Sequence, residues 1–138
     1  MDIRQKKEKV VVVVDAFSTG QYLPEEILKH GLNWVHIHSR ETLPSFLTSK
    51  VKHTSCLLEI YFNGELDQLI FQLDKYDIVA VMAGTETSIE LTDCLAERLG
   101  LPGNNPTTSH LRRNKYYMIE AVRKAGLNAA DQIIASSI

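Results

Sequence analysis

The amino-acid sequence predicts an α/β fold in which an open parallel sheet carries helices on both faces. Continuous runs of β-branched residues, such as "KVVVVVDA" at Lys9–Ala16, are typical of strands that are buried on both faces. Between such runs lie segments with apolar residues at helical spacing, such as "GELDQLIFQLDKY" at Gly64–Tyr76. Strands that alternate with helices favour parallel pairing through right-handed crossovers.

Four strands and three helices are predicted in order along the first part of the chain. The predicted strands cover Lys9–Ala16, Asn33–Ser39, Ser55–Phe62 and Asp77–Gly84. The predicted helices cover Gly20–Gly31, Gly64–Tyr76 and Thr87–Gly100. A polar, less regular stretch from Arg40 to Thr54 separates the second strand from the third. This order predicts a Rossmann-like domain.

Composition limits the classes of function. The 138 residues are 44% hydrophobic, which is enough for one core, and the formal net charge of −2 argues against a dedicated nucleic-acid binder. No apolar stretch approaches the roughly eighteen residues of a membrane span. Cys56 and Cys94 are far apart, which favours free thiols in a reducing compartment. We therefore expect a cytoplasmic protein that binds neither nucleic acid nor membrane.

The sequence changes character after the third helix. Pro102, Gly103 and Pro106 interrupt regular structure, and Asn114 is a suitable N-cap for a helix over Lys115–Ala125. A further apolar run, "DQIIASSI", suggests the start of another strand. We expect a Rossmann-like domain over residues 1–103, and a linker, helix and first strand over residues 104–138 that lead into a domain beyond this chain.

Candidate binding residues lie in the loops that follow the strands, where open parallel sheets bind ligands. After strand one, Ser18, Thr19 and Gly20 present hydroxyls and backbone N–H groups to an anion, or alternatively form a plain turn with capping side chains. The loop "DAFSTG" lacks the three glycines of a dinucleotide fingerprint.

A second candidate loop follows strand four. Gly84 would let a substrate approach the backbone, and Thr85 and Glu86 would contact it. The alternative is that Glu86 complements the dipole of the next helix.

Two histidines on the second predicted strand share a face. His36 and His38 are two residues apart, but no third ligand accompanies them at a suggestive spacing, so a structural role is favoured and no metal site is expected. No catalytic residue set is recognisable from spacing either.

The most informative feature is the basic segment before the last predicted helix. Lys115 falls at the first helical position, where a cation adds unfavourably to the positive end of the helix dipole. A phosphate bound there would turn this conflict into attraction from the lysine and the free N–H groups. The alternative is a solvated surface lysine. The roles of Arg112 and Arg113 stay open.

The order of these motifs resembles the N-terminal region of ATP-grasp ligases. "MAGTETSIELTDCLAERLGLPGNNP" followed by "RRNKYYMIEAVRKAGL" is similar to the Rossmann-like preATP-grasp domain, its linker and the helix that opens with a lysine. "VVDAFSTGQYLPEEILKHGLNWVHIHS" resembles the opening of members related to biotin carboxylases and amino-acid ligases.

The resemblance implies a fragment of an ATP-dependent carboxylate ligase that acts through an acyl phosphate. It implies that Lys115 contacts ATP phosphates, and that the Ser18–Gly20 and Gly84–Glu86 loops face the substrate. ATP and Mg²⁺ would be used by the full-length enzyme, whose downstream ATP-grasp domain holds the metal ligands. We expect this chain alone to be inactive. The alternative is a stand-alone Rossmann-like ligand-binding or signalling module, and homodimerisation stays open.

Overall fold

A computed structural model describes residues 6–40, 45 and 55–136. Its centre is a four-stranded sheet of β1 (Glu8–Val14), β2 (Asn33–His38), β3 (Leu58–Tyr61) and β4 (Tyr76–Ala83). All three strand pairings are parallel, and the spatial order is β3-β2-β1-β4. The chain therefore builds outward from β1 in one direction and then crosses to its other side, which places the topological switch point between β1 and β4.

Helices follow the strands as the sequence predicts. In the described ranges, three 3₁₀ turns precede helices, at Ser18–Tyr22, Glu86–Ser88 and Pro106–Thr108. None of the helices that the structure describes has the length and apolar character needed to cross a membrane. The α-helices that lie wholly within the described residues are α1 (Leu23–Lys29), α2 (Leu66–Leu73), α3 (Ile89–Arg98), α4 (Ser109–Arg113) and α5 (Lys115–Lys124).

The valine run of β1 forms the middle of two apolar layers. Val10, Val12 and Val14 pack with leucines of α2 and α3 on one face of the sheet. Val11 and Val13 pack with Ile27 of α1 and with Trp34 on the other face. Because successive side chains of a strand point to opposite faces, a strand covered on both faces must be apolar at every position. The predicted α/β architecture with helices on both faces is confirmed.

Several predicted boundaries shift. The third strand is shorter than predicted, since Ser55–Leu57 precede β3. The first helix begins with a 3₁₀ turn, and its α-helical part starts at Leu23, beside Pro24, whose fixed φ suits a first turn. The helix ends before Gly31, which has the positive φ of 71° common after helices. Of the irregular stretch from Arg40 to Thr54, all but Arg40 and Ser45 lie outside the described residues.

The last part of the chain begins with the predicted helix. The Asn114 side chain accepts hydrogen bonds from the Tyr116 and Tyr117 N–H groups, which confirms it as the N-cap of α5. The strand predicted from Asp131 is not formed in the described residues, because no described strand lies beside it to share backbone hydrogen bonds. This segment instead folds back on α5, where the Gln132 amide donates to the Tyr116 carbonyl at 2.8 Å. The boundary near residue 103 stays a prediction.

Candidate functional site

Asp15 joins the three loops at the carboxyl edge of the sheet. The side chain is fully buried directly after β1, and its backbone has a positive φ of 55°. One carboxylate oxygen accepts the Ser39 N–H at 2.8 Å. The other accepts the Ser39 hydroxyl at 2.6 Å and the Thr87 hydroxyl at 3.1 Å. A buried carboxylate needs such donors, because its negative charge has lost its water. Asp15 therefore fixes the relative position of the loops after β1, β2 and β4.

Thr85 extends this network. Its hydroxyl lies 2.7 Å from the Thr87 hydroxyl. Because the single Thr87 proton is donated to Asp15, the proton between the two threonines comes from Thr85. The Thr85 side chain thus supports the Asp15 network, and only its lone pairs remain for a ligand.

Gly20 and Gly84 are in direct backbone contact. A Cβ atom on Gly20 would lie 2.3 Å from the Gly84 carbonyl oxygen, and one on Gly84 would lie 2.2 Å from the Asp15 carbonyl oxygen. Both residues are buried. The expectation that Gly84 lets a substrate approach the backbone stays a prediction, since the contact explains the glycine without a ligand. The absence of a side chain lets the two loops pack on each other at the switch point.

The remaining loop candidates are more accessible. Ser18 and Thr19 are exposed at the start of the 3₁₀ turn, and the turn has no side-chain cap at Phe17. Glu86 is exposed in the first turn after β4. Their hydroxyl and carboxylate groups face solvent at the carboxyl edge, and their roles in binding stay predictions.

A cleft of about 330 Å³ lies beside the Asp15 network, on the face that carries α2 and α3. Its apolar side is formed by Phe62, Leu66, Leu91 and Cys94. Its polar side is formed by Ser39, Arg40, Thr87, Glu90 and Arg113. We call this space the carboxyl-edge cleft. It combines an apolar wall with a few polar groups, as small-molecule sites commonly do.

Asp93 of α3 anchors the segment that follows the sheet domain. Its buried carboxylate accepts hydrogen bonds from the Ser109 hydroxyl and from the Arg112 guanidinium. The same guanidinium donates to the Thr108 hydroxyl at 3.1 Å. This answers one of the questions left open by the sequence. Arg112 holds α4 against α3, while its neighbour Arg113 lines the carboxyl-edge cleft.

Lys115 is exposed at the start of α5 and makes no hydrogen bond or ion pair within the described ranges. Asn114 already occupies two of the helix N–H groups that a phosphate would use, those of Tyr116 and Tyr117. The attraction for a phosphate therefore comes mainly from the lysine ammonium, and less from the helix terminus than the sequence suggests.

The structure supplies a third neighbour for the two histidines. Glu59 of β3 lies opposite His36, and its carboxylate is 2.7 Å from His38 Nε2 and 3.5 Å from His36 Nδ1. The three residues form a group with metal-ligand chemistry that spacing along one strand did not show.

The hydrogen bonding of His36 disfavours a metal there. The Ala16 N–H donates to His36 Nε2 at 3.1 Å, so the proton of the neutral ring resides on Nδ1. A metal on Nδ1 would move that proton to Nε2, where it would confront the Ala16 N–H. This geometry favours the structural role expected for these histidines.

The comparisons with known proteins agree with the sequence motifs. No protein-family model matches the chain. Dapdiamide A synthase from Enterobacter agglomerans is 32% identical over 137 residues, which cover 98% of this chain and 32% of that protein. The chain thus spans about a third of the length of this curated relative.

A solved structure supports the fold. The crystal structure of L-amino acid ligase from Bacillus licheniformis matches 90% of this chain and 32% of its own length, with a TM-score of 0.65 and 20% identity. The structural match shows the fold, and the sequence match agrees with the resemblance of the motif order to ATP-grasp ligases.

Proposed function

We propose that this chain is part of an ATP-dependent ligase that joins a carboxylate to an amine or another nucleophile through an acyl phosphate. The observation that carries the proposal is the 32% identity to dapdiamide A synthase across 98% of this chain. Because the match spans 32% of that relative, the proposal assigns most of the catalytic machinery to residues outside this chain.

In this proposal the domain supplies the substrate side of the active site. The carboxyl-edge cleft lies where open parallel sheets bind ligands, and the Asp15 network holds its loops in place. The Ser18–Gly20 turn and Glu86 lie at the same edge. The contribution to catalysis is positioning of a substrate, which lowers the entropic cost of bringing two reactants together.

Lys115 would bind ATP phosphates at the boundary with the rest of the enzyme. Its ammonium group is exposed and has no partner among the described residues, so it is available for an anion. A phosphate beside it would neutralise the unfavourable cation at the helix start.

Mg²⁺ would neutralise charge on the transferred phosphoryl group, but the described residues do not fit it. Mg²⁺ prefers oxygen ligands in octahedral geometry. The cluster of metal-ligand type formed by the described residues is that of His36, His38 and Glu59, with two nitrogen donors. The proposal therefore assigns the metal ligands to other parts of the enzyme.

The end of the described chain offers a surface for a further domain. α5 has no buried residue, and several large apolar side chains on it and after it are exposed. Such apolar exposure is typical of surfaces that another domain covers. These side chains belong to Tyr117, Met118, Leu127, Ile133 and Ile134.

A chimera tests the proposal. Residues 1–138 would replace the matching segment of dapdiamide A synthase, and ADP release would be measured with and without carboxylate and amine substrates. We expect substrate-dependent ADP release from the chimera and none from the 138-residue chain alone. Lys115→Ala should reduce the rate by about tenfold or more through loss of a charge-assisted phosphate contact.

Lys124→Ala is the matched control, since Lys124 lies at the other end of the same helix and should tolerate the change. ADP release by the chain alone would contradict the assignment of catalysis to residues elsewhere. Equal rates for the two lysine variants would contradict the role of Lys115. A correctly folded chimera without substrate-dependent turnover, judged by its thermal unfolding, would favour a stand-alone ligand-binding module instead.

A further inference from the structure

Asp93 holds two residues of α4 with one carboxylate oxygen. The side chain is buried in α3, and its Oδ2 atom accepts hydrogen bonds from the Ser109 hydroxyl and from the Arg112 guanidinium. Arg112 also donates to the Ser109 hydroxyl oxygen at 3.2 Å, which closes a triangle of three side chains. The other carboxylate oxygen faces the Asn104 amide at 3.5 Å. Hydrogen bonds to an ionised group are stronger than those between neutral groups, so this triangle is a firm link between the two helices.

The short helix α4 depends on such a link. A helix of five residues is unstable in isolation, because the cost of forming its first turn is not recovered by further intrahelical hydrogen bonds. A second ion pair between α3 and α4 joins Arg113 to the exposed Glu90 at 3.5 Å, and an exposed pair contributes little to stability. The buried Asp93 carboxylate is therefore the stronger of these two connections between α4 and the sheet domain.

The position of α4 determines where α5 begins. Asn114 is the single residue between the end of α4 at Arg113 and the start of α5 at Lys115. Its N–H donates to the His110 carbonyl at 3.0 Å, and its side chain caps α5. The His110 ring also packs edge-on against Tyr117 of α5, with ring centroids 6.0 Å apart. Because α5 buries no residue of its own, its first turn is placed by α4.

We propose that Asp93 is a positioning residue for the ATP site, which sets the place of Lys115 through Ser109 and Arg112. The inference rests on the proposed function of Lys115 in phosphate binding, and it adds a residue that acts only through others. Such positioning has large effects on rates, because a displacement of about 1 Å at a binding group can reduce turnover by a factor of about 100.

A double-mutant cycle in the chimera with dapdiamide A synthase separates positioning from general stability. Asp93→Ala removes both hydrogen bonds but keeps a good helix former, so we expect kcat/KM for ATP to fall about five- to tenfold while the KM of the carboxylate substrate is unchanged. In a Lys115→Ala chimera the same substitution should lower kcat/KM by less than about twofold, because the group that Asp93 positions is gone. Equal losses in the two backgrounds would indicate a purely structural role and overturn the proposal.

Two further variants control for folding and for charge. Asp93→Asn keeps an oxygen for Ser109 and Arg112 but loses the charge, so its loss should lie between those of the parent and Asp93→Ala, and it takes the place of Asp93→Ala in the cycle if the latter does not fold. Glu97→Gln removes a carboxylate charge from the exposed side of the same helix and should keep the kcat/KM of the parent. Losses of equal size in Glu97→Gln and Asp93→Asn would assign the effect to helix charge and contradict the proposal.

Amide hydrogen exchange of the 138-residue chain tests the link without any turnover. Asp93→Ala should accelerate exchange several-fold in peptides that cover α4 and the first turn of α5, and it should leave exchange in β1 unchanged. Unchanged exchange in α4, or the same acceleration in β1, would overturn the proposal. If the parent chimera shows no turnover, the proposed function fails, and the exchange result decides whether Asp93 fixes the segment that carries Lys115.

Discussion

The Asp15 carboxylate accepts both the backbone N–H and the hydroxyl of Ser39, at 2.8 and 2.6 Å. The two residues end neighbouring strands, and the same carboxylate also accepts the Thr87 hydroxyl beyond β4. A single buried side chain thereby aligns the loops on both sides of the switch point. Two of the residues that line the neighbouring cleft, Ser39 and Thr87, are thereby bonded to the same carboxylate.

Asp15→Asn tests the importance of this network for stability. Asparagine tolerates the positive φ at this position, so the substitution changes the hydrogen bonds with little added backbone strain. One side-chain oxygen remains for the Ser39 N–H, but the other becomes an NH₂ group that cannot accept from the hydroxyls. We expect a loss of about 1–3 kcal/mol in the free energy of unfolding.

Urea unfolding followed by the fluorescence of Trp34, the single tryptophan and a buried one, would measure this loss. Ser39→Ala removes only part of the network and serves as the graded control, with an expected loss of about 1 kcal/mol. If Asp15→Asn unfolded at the parent urea concentration, the network would have no role in stability.

Gly20→Ala tests the contact between the two loop glycines. The new Cβ would lie 2.3 Å from a carbonyl oxygen of the backbone, which cannot move aside like a side chain. We expect a loss of about 3 kcal/mol or more in the same unfolding experiment. Gly100→Ala is the control, since its Cβ would meet open space and only its φ of 66° adds strain, at about 1–2 kcal/mol. Equal losses in the two variants would show that the close contact is unimportant.

The sequence predicted the fold better than the site. The strands and helices were predictable because the valine run and the leucine spacing in α2 depend on local periodicity and burial. The Asp15 network and the pairing of Glu59 with His38 were not, because their partners are 24, 72 and 21 residues apart and meet only through strand order. Asp15 did carry a signal, as a lone carboxylate directly after a buried strand.

The contact that Gly84 makes was not predictable for a related reason. A glycine in a loop indicates that something approaches its backbone closely, but the sequence does not say what. In the structure the neighbour is the backbone of Gly20. Gly84 is not among the residues that line the carboxyl-edge cleft, which lies beside α2 and α3.

Substitution of the two adjacent arginines should have unequal effects on stability. Arg112→Met would leave the buried Asp93 carboxylate without its guanidinium partner, and we expect a loss of about 2–3 kcal/mol. Arg113→Met removes a long contact with the exposed Glu90 and an unsatisfied donor, so the free energy of unfolding should change by no more than about 0.5 kcal/mol. Thermal unfolding of both variants would measure the difference. Equal destabilisation would contradict the separate roles assigned to these residues.

The pH dependence of Cys94 alkylation gives a further prediction. Burial raises the pKa of the Cys94 thiol above its ordinary value, and the nearby Glu97, Asp93 and Glu90 carboxylates raise it further. Because the thiolate is the reactive form, the folded chain should react with iodoacetamide more slowly than the urea-unfolded chain at pH 8. The rate should rise to its half-maximum at a higher pH in the folded chain.

The raised pKa of the Cys94 thiol also makes the stability of the fold depend on pH. A thiol whose pKa is raised by folding binds its proton more tightly in the folded state, so its contribution to stability is fully present below the unfolded pKa. This contribution is lost as the pH rises through the folded pKa, in the alkaline range. Burial also raises the pKa of the Cys56 thiol, so Cys94→Ser and Cys56→Ser should each remove only part of the dependence, and the double variant should remove both parts. Reaction of the folded thiol at the same midpoint pH as the unfolded one would contradict the burial of Cys94 in the wall of the cleft.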